Sequence, residues 1–160
     1  MKHFLSAAPV LALVILASGA AYAAAGDFKA ELTGAEEVPP VETETTGEAK
    51  FELNEEMTEM EFELEIDKGV GILGAAGAHI HCAPAGVNGP VAAFLAGAVA
   101  GGFNGDLEIK ATLTDANVLA TACGASLAEL IDSMEAGDTY VNVHSIDFPG
   151  GEVRGQIGAD

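Results

Sequence analysis

The stretch "MEFELEI", Met60 to Ile66, alternates without a break: Met60, Phe62, Leu64 and Ile66 are apolar, and a glutamate stands between each pair. Successive side chains of a strand point to opposite faces, so a period of two describes a half-buried β-strand with an acidic, solvated face. The same pattern recurs in "FKAEL" (Phe28–Leu32), "AKFEL" (Ala49–Leu53) and "LEIKATL" (Leu107–Leu113). One apolar row per strand is the mark of antiparallel sheets, because parallel strands covered on both faces read as continuous apolar runs. Asn54-Glu55-Glu56 reads as a hairpin loop. Further breaks fall at Val38-Pro39-Pro40, Asn88-Gly89-Pro90, Gly101 to Gly105 and Phe148-Pro149-Gly150-Gly151. Roughly seven or eight strands separated in this way describe a β-sandwich or barrel. One segment differs. Ser126-x-x-Glu129 has the spacing of a capping box, Leu127, Leu130, Ile131 and Met134 follow at helical spacing, and Gly137 closes the run. It predicts one short helix near 126–136. Leu95 to Gly102 reads only as an Ala/Gly-rich tract, and no repeat of fixed period is present.

The N-terminus has a different character. Lys2 and His3 precede an apolar run from Phe4 to Ala17, and Ala21-Tyr22-Ala23 has the small-x-small form of a cleavage site. The run is shorter than the roughly 20 residues a membrane-spanning helix needs. Residues 1–23 are therefore expected to be a cleaved secretory signal, and 24–160 a single exported domain, periplasmic or extracellular, with no membrane span after cleavage. The whole chain carries 6 Lys+Arg against 25 Asp+Glu, a formal charge of −19. The signal holds one lysine and no acid, so the rest is more acidic still. Such a surface repels nucleic acid and anionic lipid, which argues against a nucleic-acid partner and favours a solubility role for the charge. The two cysteines, Cys82 and Cys123, sit in a chain bound for an oxidising compartment and are expected to form a disulfide.

Outside the signal the histidines are His79, His81 and His144. In a strand, His79 and His81 lie on one face about 6.6 Å apart, with Ile80 on the other. His144 ends "TYVNVH", in which Tyr140, Asn142 and His144 share a face. If the two strands are neighbours, three neutral imidazoles meet in a site suited to zinc or copper, with a fourth position left for water, a carboxylate or a ligand. The alternative is three strand histidines hydrogen-bonded to backbone and to polar neighbours such as Asn142. Arg154, the chain's single arginine, stands two residues from Glu152 on the last strand and is expected to pair that glutamate or a backbone carbonyl. No Gly-rich phosphate loop, Gly-x-Ser-x-Gly elbow or basic patch is present. A Cys82 thiolate beside His81 would need a reducing compartment.

Four segments resemble the CHRD domain, named for chordin and found also in many bacterial exported proteins: "FKAELTGAEEVPP" (Phe28–Pro40), "TGEAKFEL" (Thr46–Leu53), "AHIHCAPAGVNGPV" (Ala78–Val91) and "YVNVHSIDFPGGEVRGQI" (Tyr140–Ile157). The resemblance implies an immunoglobulin-like or copper/zinc superoxide-dismutase-like sandwich. In chordin-like proteins the domain is an extracellular module associated with growth-factor antagonism, and fold likeness alone carries no activity over to this chain. The position after His-x-His is commonly glycine in this family and is Cys82 here, in keeping with a disulfide to Cys123. Three functional expectations follow. The first is a non-catalytic exported module holding copper or zinc through His79, His81 and His144. The second is a metal-free scaffold that binds an extracellular or envelope protein partner. The last is a superoxide-dismutase-like enzyme, which the acidic surface disfavours because it repels an anionic substrate.

Overall fold

The computed structural model describes residues 26–160; the signal peptide expected over residues 1–23 lies outside them. Among the described residues nine strands carry the fold: β1 Phe28–Thr33, β2 Thr46–Leu53, β3 Met60–Ile72, β4 Ala78–Cys82, β5 Val91–Ala96, β6 Phe103–Leu113, β7 Thr139–Val143, β8 Val153–Gln156 and β9 Gly158–Ala159. Every pairing is antiparallel, in the order β5-β4-β7-β8-β1-β2-β3-β6, with β9 on β1. The seam between the two halves is thin: β1 meets β8 at Thr33 and Arg154. Bent there, the sheet lays β5-β4-β7-β8 over β1-β2-β3-β6, the all-β antiparallel architecture expected from the alternation.

The apolar rows explain the bend. Met60, Phe62, Leu64 and Ile66 of β3 are at most 3% exposed. They share one core with Phe28, Ala30 and Leu32 of β1, Ala49 and Phe51 of β2, Ile80 of β4, and Val141 and Val143 of β7. Burial of such a continuous apolar set is the main force that closes one half over the other.

The helix α1 (Leu127–Glu135) is capped as the sequence indicates. Ser126 Oγ accepts from Glu129 N at 3.3 Å, and Glu129 Oε2 accepts from Ala125 N at 2.8 Å. Leu127, Leu130, Ile131 and Met134 are its buried face. The Asn54 loop closes the β2–β3 hairpin, with Asn54 Oδ1 accepting from Thr58 N and Glu59 N.

Two elements depart from the sequence reading. β5 lies partly in the tract taken as Ala/Gly-rich; "VAAFLA" offers no polar alternation because Ala92 and Ala93 are both fully buried. β3 runs on to Ile72 through register shifts at Gly69, past the point where its alternation stops.

Cys82 and Cys123 form the expected disulfide, with a Cα–Cα distance of 5.7 Å and a sequence separation of 41. It ties β4 to the segment that leads into α1. Replacing both cysteines by alanine is expected to lower the unfolding free energy by about 4 kcal/mol, the chain-entropy value for a loop of this length. Urea unfolding measures it, and an unchanged midpoint would contradict this role.

Candidate metal centre

In the β4–β7 ladder His79 stands opposite Asn142, and His81 opposite Tyr140. Directly opposed residues of an antiparallel pair share a face, so His79, His81, Tyr140, Asn142 and His144 all project away from the core. The next ladder adds Arg154 opposite Asn142 and Gln156 opposite Tyr140. The outer face of β4-β7-β8 is thus a polar row, and it is buried: His79 is 4% exposed, His144 7%, Asn142 3% and Arg154 1%.

Two loops cover it. Residues 83–90 are held down by Arg154, which donates to Pro84 O (3.4 Å), Val87 O (2.9 Å) and Asn88 Oδ1 (3.1 Å). Gln156 Nε2 adds a bond to Ala83 O at 3.1 Å. The loop after β1 is tied to this one by Asn88 Nδ2 donating to Val38 O at 2.8 Å, and to the sheet by Asn142 Nδ2 donating to Glu37 Oε2 at 3.3 Å. The Arg154 guanidinium also lies 3.4 Å from the Tyr140 ring centroid, a close cation–π contact, and Tyr140 stacks on His81 with centroids 4.9 Å apart.

The three imidazoles converge. His79 Nδ1 lies 3.2 Å from His144 Nε2, and each residue of the trio offers a nitrogen within 4.8 Å of the other two. His81 Nδ1 is 2.9 Å from Gly89 O, and His144 Nδ1 is 3.0 Å from Pro149 O. A carbonyl only accepts, so both Nδ1 atoms carry protons and both Nε2 atoms keep their lone pairs. Backbone carbonyls that hold the far nitrogen of a histidine are the usual way a ligand ring is oriented. His79 and His144 can satisfy one another by a single hydrogen bond. Among the described residues, His81 Nε2 is buried with no hydrogen-bond partner.

Ligands about 2 Å from a common ion stand roughly 3 to 4 Å apart, so the trio needs only a small closure to hold a zinc- or copper-sized ion. Gly89 has a role here: a Cβ on it would lie 2.0 Å from the Cys82 carbonyl oxygen, so only glycine lets the loop approach β4 closely enough to reach His81.

Three of the four segments that resembled a known family meet on this face, and the family comparison agrees with them: the CHRD domain model matches residues 28–157. The chain belongs to the CHRD domain family. No curated protein matches it.

Within this CHRD domain the supporting residues differ in part from the sequence reading. Arg154 does not pair with Glu152. β8 begins only at Val153, and Glu152 Oε1 instead accepts from Thr43 Oγ1 at 2.7 Å. The backbone-carbonyl alternative for Arg154 is the one observed. Asn142 shares the histidine face but spends its amide on Glu37. Glu37 itself was missed, being one of many acids in an acidic chain with nothing in its spacing to single it out. Phe94, whose ring meets His79 edge-on at 4.9 Å, was missed with β5.

Burial lowers the pKa of all three histidines. His79 falls to about 4, from desolvation first and then from the neighbouring His144 and His81. Neutral rings are the form that binds metal. Glu37 moves the other way, up to about 7, because burial outweighs the Arg154 charge and the Asn142 bond. The signs oppose. Between pH 6.5 and 4 the unfolded chain protonates position 79 and the folded one does not, so stability is lost as pH falls. Between pH 7 and 4.5 the folded chain holds a proton on Glu37 that the unfolded one lacks, so stability is gained as pH falls. Glu37→Gln removes the gain and leaves the loss. Chemical denaturation of metal-free protein from pH 7 to pH 4.5 should show a steeper decline for Glu37→Gln than for the wild type, by an amount on the order of 2–3 kcal/mol. Parallel curves would contradict the assignment.

Proposed function

We propose that this CHRD domain is an exported, non-catalytic module that holds one copper or zinc ion through His79, His81 and His144. The observation that carries the reading is the orphaned His81 Nε2, buried beside a histidine pair whose nitrogens are 3.2 Å apart. Leaving a buried acceptor unmade costs about 1–3 kcal/mol, and an ion at the centre of the trio satisfies it. Imidazole nitrogens suit zinc and copper, and the affinity order of divalent ions places copper above zinc at a site of given ligands. Three protein ligands leave one position for water or an incoming ligand.

Export fits both the leader-like residues 1–23 and the disulfide, since disulfides persist in oxidising compartments. The superoxide-dismutase-like alternative needs a positive mouth to draw in an anion. Arg154 is the candidate for it, and it is 1% exposed, its guanidinium stacked on Tyr140 and committed to the 83–90 loop. Against a formal charge of −19 that leaves no steering field for an anionic substrate.

Metal-stripped protein titrated with Cu²⁺ or Zn²⁺ should bind one equivalent, and His81→Ala should weaken that binding by more than about 100-fold, beyond what loss of an orienting partner alone costs. Elemental analysis after buffer exchange gives the stoichiometry, and circular dichroism shows that the variant is folded. Absence of stoichiometric metal in the wild type, or equal metal in a folded His81→Ala, would contradict the proposal and favour a metal-free scaffold that binds an envelope protein.

A further inference from the structure

The sheet has two ends, and they are finished differently. At one end β5 is covered: Val118 bridges to Ala93, and Leu119 N donates to Ala92 O at 2.7 Å. At the other, β6 runs for 11 residues and pairs with β3 alone among the described strands. Its second edge presents a row of backbone donors and acceptors. Such an edge is a template for pairing unless it is short, bulged away or covered. From Ile66–Leu107 to Met60–Leu113 the β3–β6 register is regular, so this part of the edge is straight.

Its side chains add a pattern. Leu107, Ile109 and Ala111 stand opposite Ile66, Leu64 and Phe62 and so lie on the core side, yet Leu107 and Ile109 are only half-buried and Ala111 is exposed. On the other face Asp106, Glu108, Lys110 and Thr112 are all exposed.

We infer that two copies of this chain pair antiparallel through the free edge of β6, about a two-fold axis through Ile109. Charge selects the register. With the axis at Ile109, Glu108 faces Lys110 of the second copy twice over, Asp106 faces Thr112, and Leu107 faces Ala111 on the apolar side. An axis at Glu108 opposes two glutamates, an axis at Lys110 opposes two lysines, and an axis at Leu107 sets Asp106 against Glu108. Axes between residues would bring opposite faces of the two strands together. Like charges directly opposed are unfavourable and unlike charges favourable. An axis at Ala111 opposes no like charges but sets Lys110 against Thr112 and Glu108 against Thr114 and forms no ion pair, so the Ile109 register is the one that pairs unlike charges without a clash.

The pairing also extends the core row across the joint, with Ile109 meeting its own copy. Within one chain Lys110 already bridges Glu63 at 2.8 Å and Glu108 at 3.0 Å, so the second Glu108 joins an existing network. The net charge opposes association at long range. At physiological ionic strength the screening length is about 8 Å, which weakens that repulsion while leaving cross-strand pairs at about 5 Å in force.

Sedimentation equilibrium over a range of concentrations, at physiological ionic strength, tests the inference with a charge swap. The wild type should show a monomer–dimer equilibrium. K110E sets Glu108 against a glutamate of the second copy, and E108K sets Lys110 against a lysine; each should raise the dimer dissociation constant by roughly tenfold or more. The double variant E108K/K110E restores opposite charges in the Ile109 register and should restore the dimer. Thermal melts confirm that each variant is folded, since position 110 also faces Glu63 of its own chain. A wild type that is monomeric throughout, a dimer indifferent to both single changes, or a double variant that stays monomeric would each overturn it.

Discussion

The antiparallel register between β4 and β7 is the constraint on which the rest of the site depends. It sets His79 against Asn142 and His81 against Tyr140, and it carries His144 to the end of the same row. A slip of one residue would turn these polar groups into the core and Ile80 and Val141 out of it. The register is held from both faces. On the inner side Ile80, Val141 and Val143 are fully buried in the core. On the outer side Arg154, one strand further on, grips the loop whose Gly89 carbonyl fixes the His81 ring.

A buried polar face outside the core is unusual for a sandwich, whose outer faces are ordinarily solvated. Burying it carries an electrostatic cost, seen in the histidines held neutral and in the Glu37 carboxyl pushed up to about 7. Most of its polar atoms are paired. The remaining orphans include His81 Nε2, Glu37 Oε1 and Asn142 Oδ1. The last two crowd together: a Cβ on Gly151 would be 2.5 Å from both. The fold therefore keeps a partly unsatisfied polar cluster beside the histidines.

Much of the architecture was legible because it rests on local rules. Alternation in β3 fixed both its partner type and its buried face, and the Ser126–Glu129 box marked the start of α1. β5 was not legible, since its six residues are all apolar, with the adjacent Ala92 and Ala93 both buried, and carry no polar period. The His-x-His pair announced a shared face, and the same parity placed Tyr140, Asn142 and His144 together. Sequence could not join the two rows, because strand adjacency comes from the global path of the sheet. Glu37 and Gly89 were out of reach for a related reason: their roles come from loops folding back over a sheet face, a tertiary event with no periodicity of its own. Arg154 was recognised as structural, and its partners followed from the same covering loop.

Whether the three imidazoles hold one ion is decided by anomalous diffraction from crystals of the protein loaded with copper or zinc, recorded at the absorption edge of the metal. A three-histidine site gives a single peak about 2 Å from His79 Nδ1, His81 Nε2 and His144 Nε2. A peak elsewhere, on the acidic strand faces for example, or no peak at all with the histidines hydrogen-bonded among themselves, would contradict it.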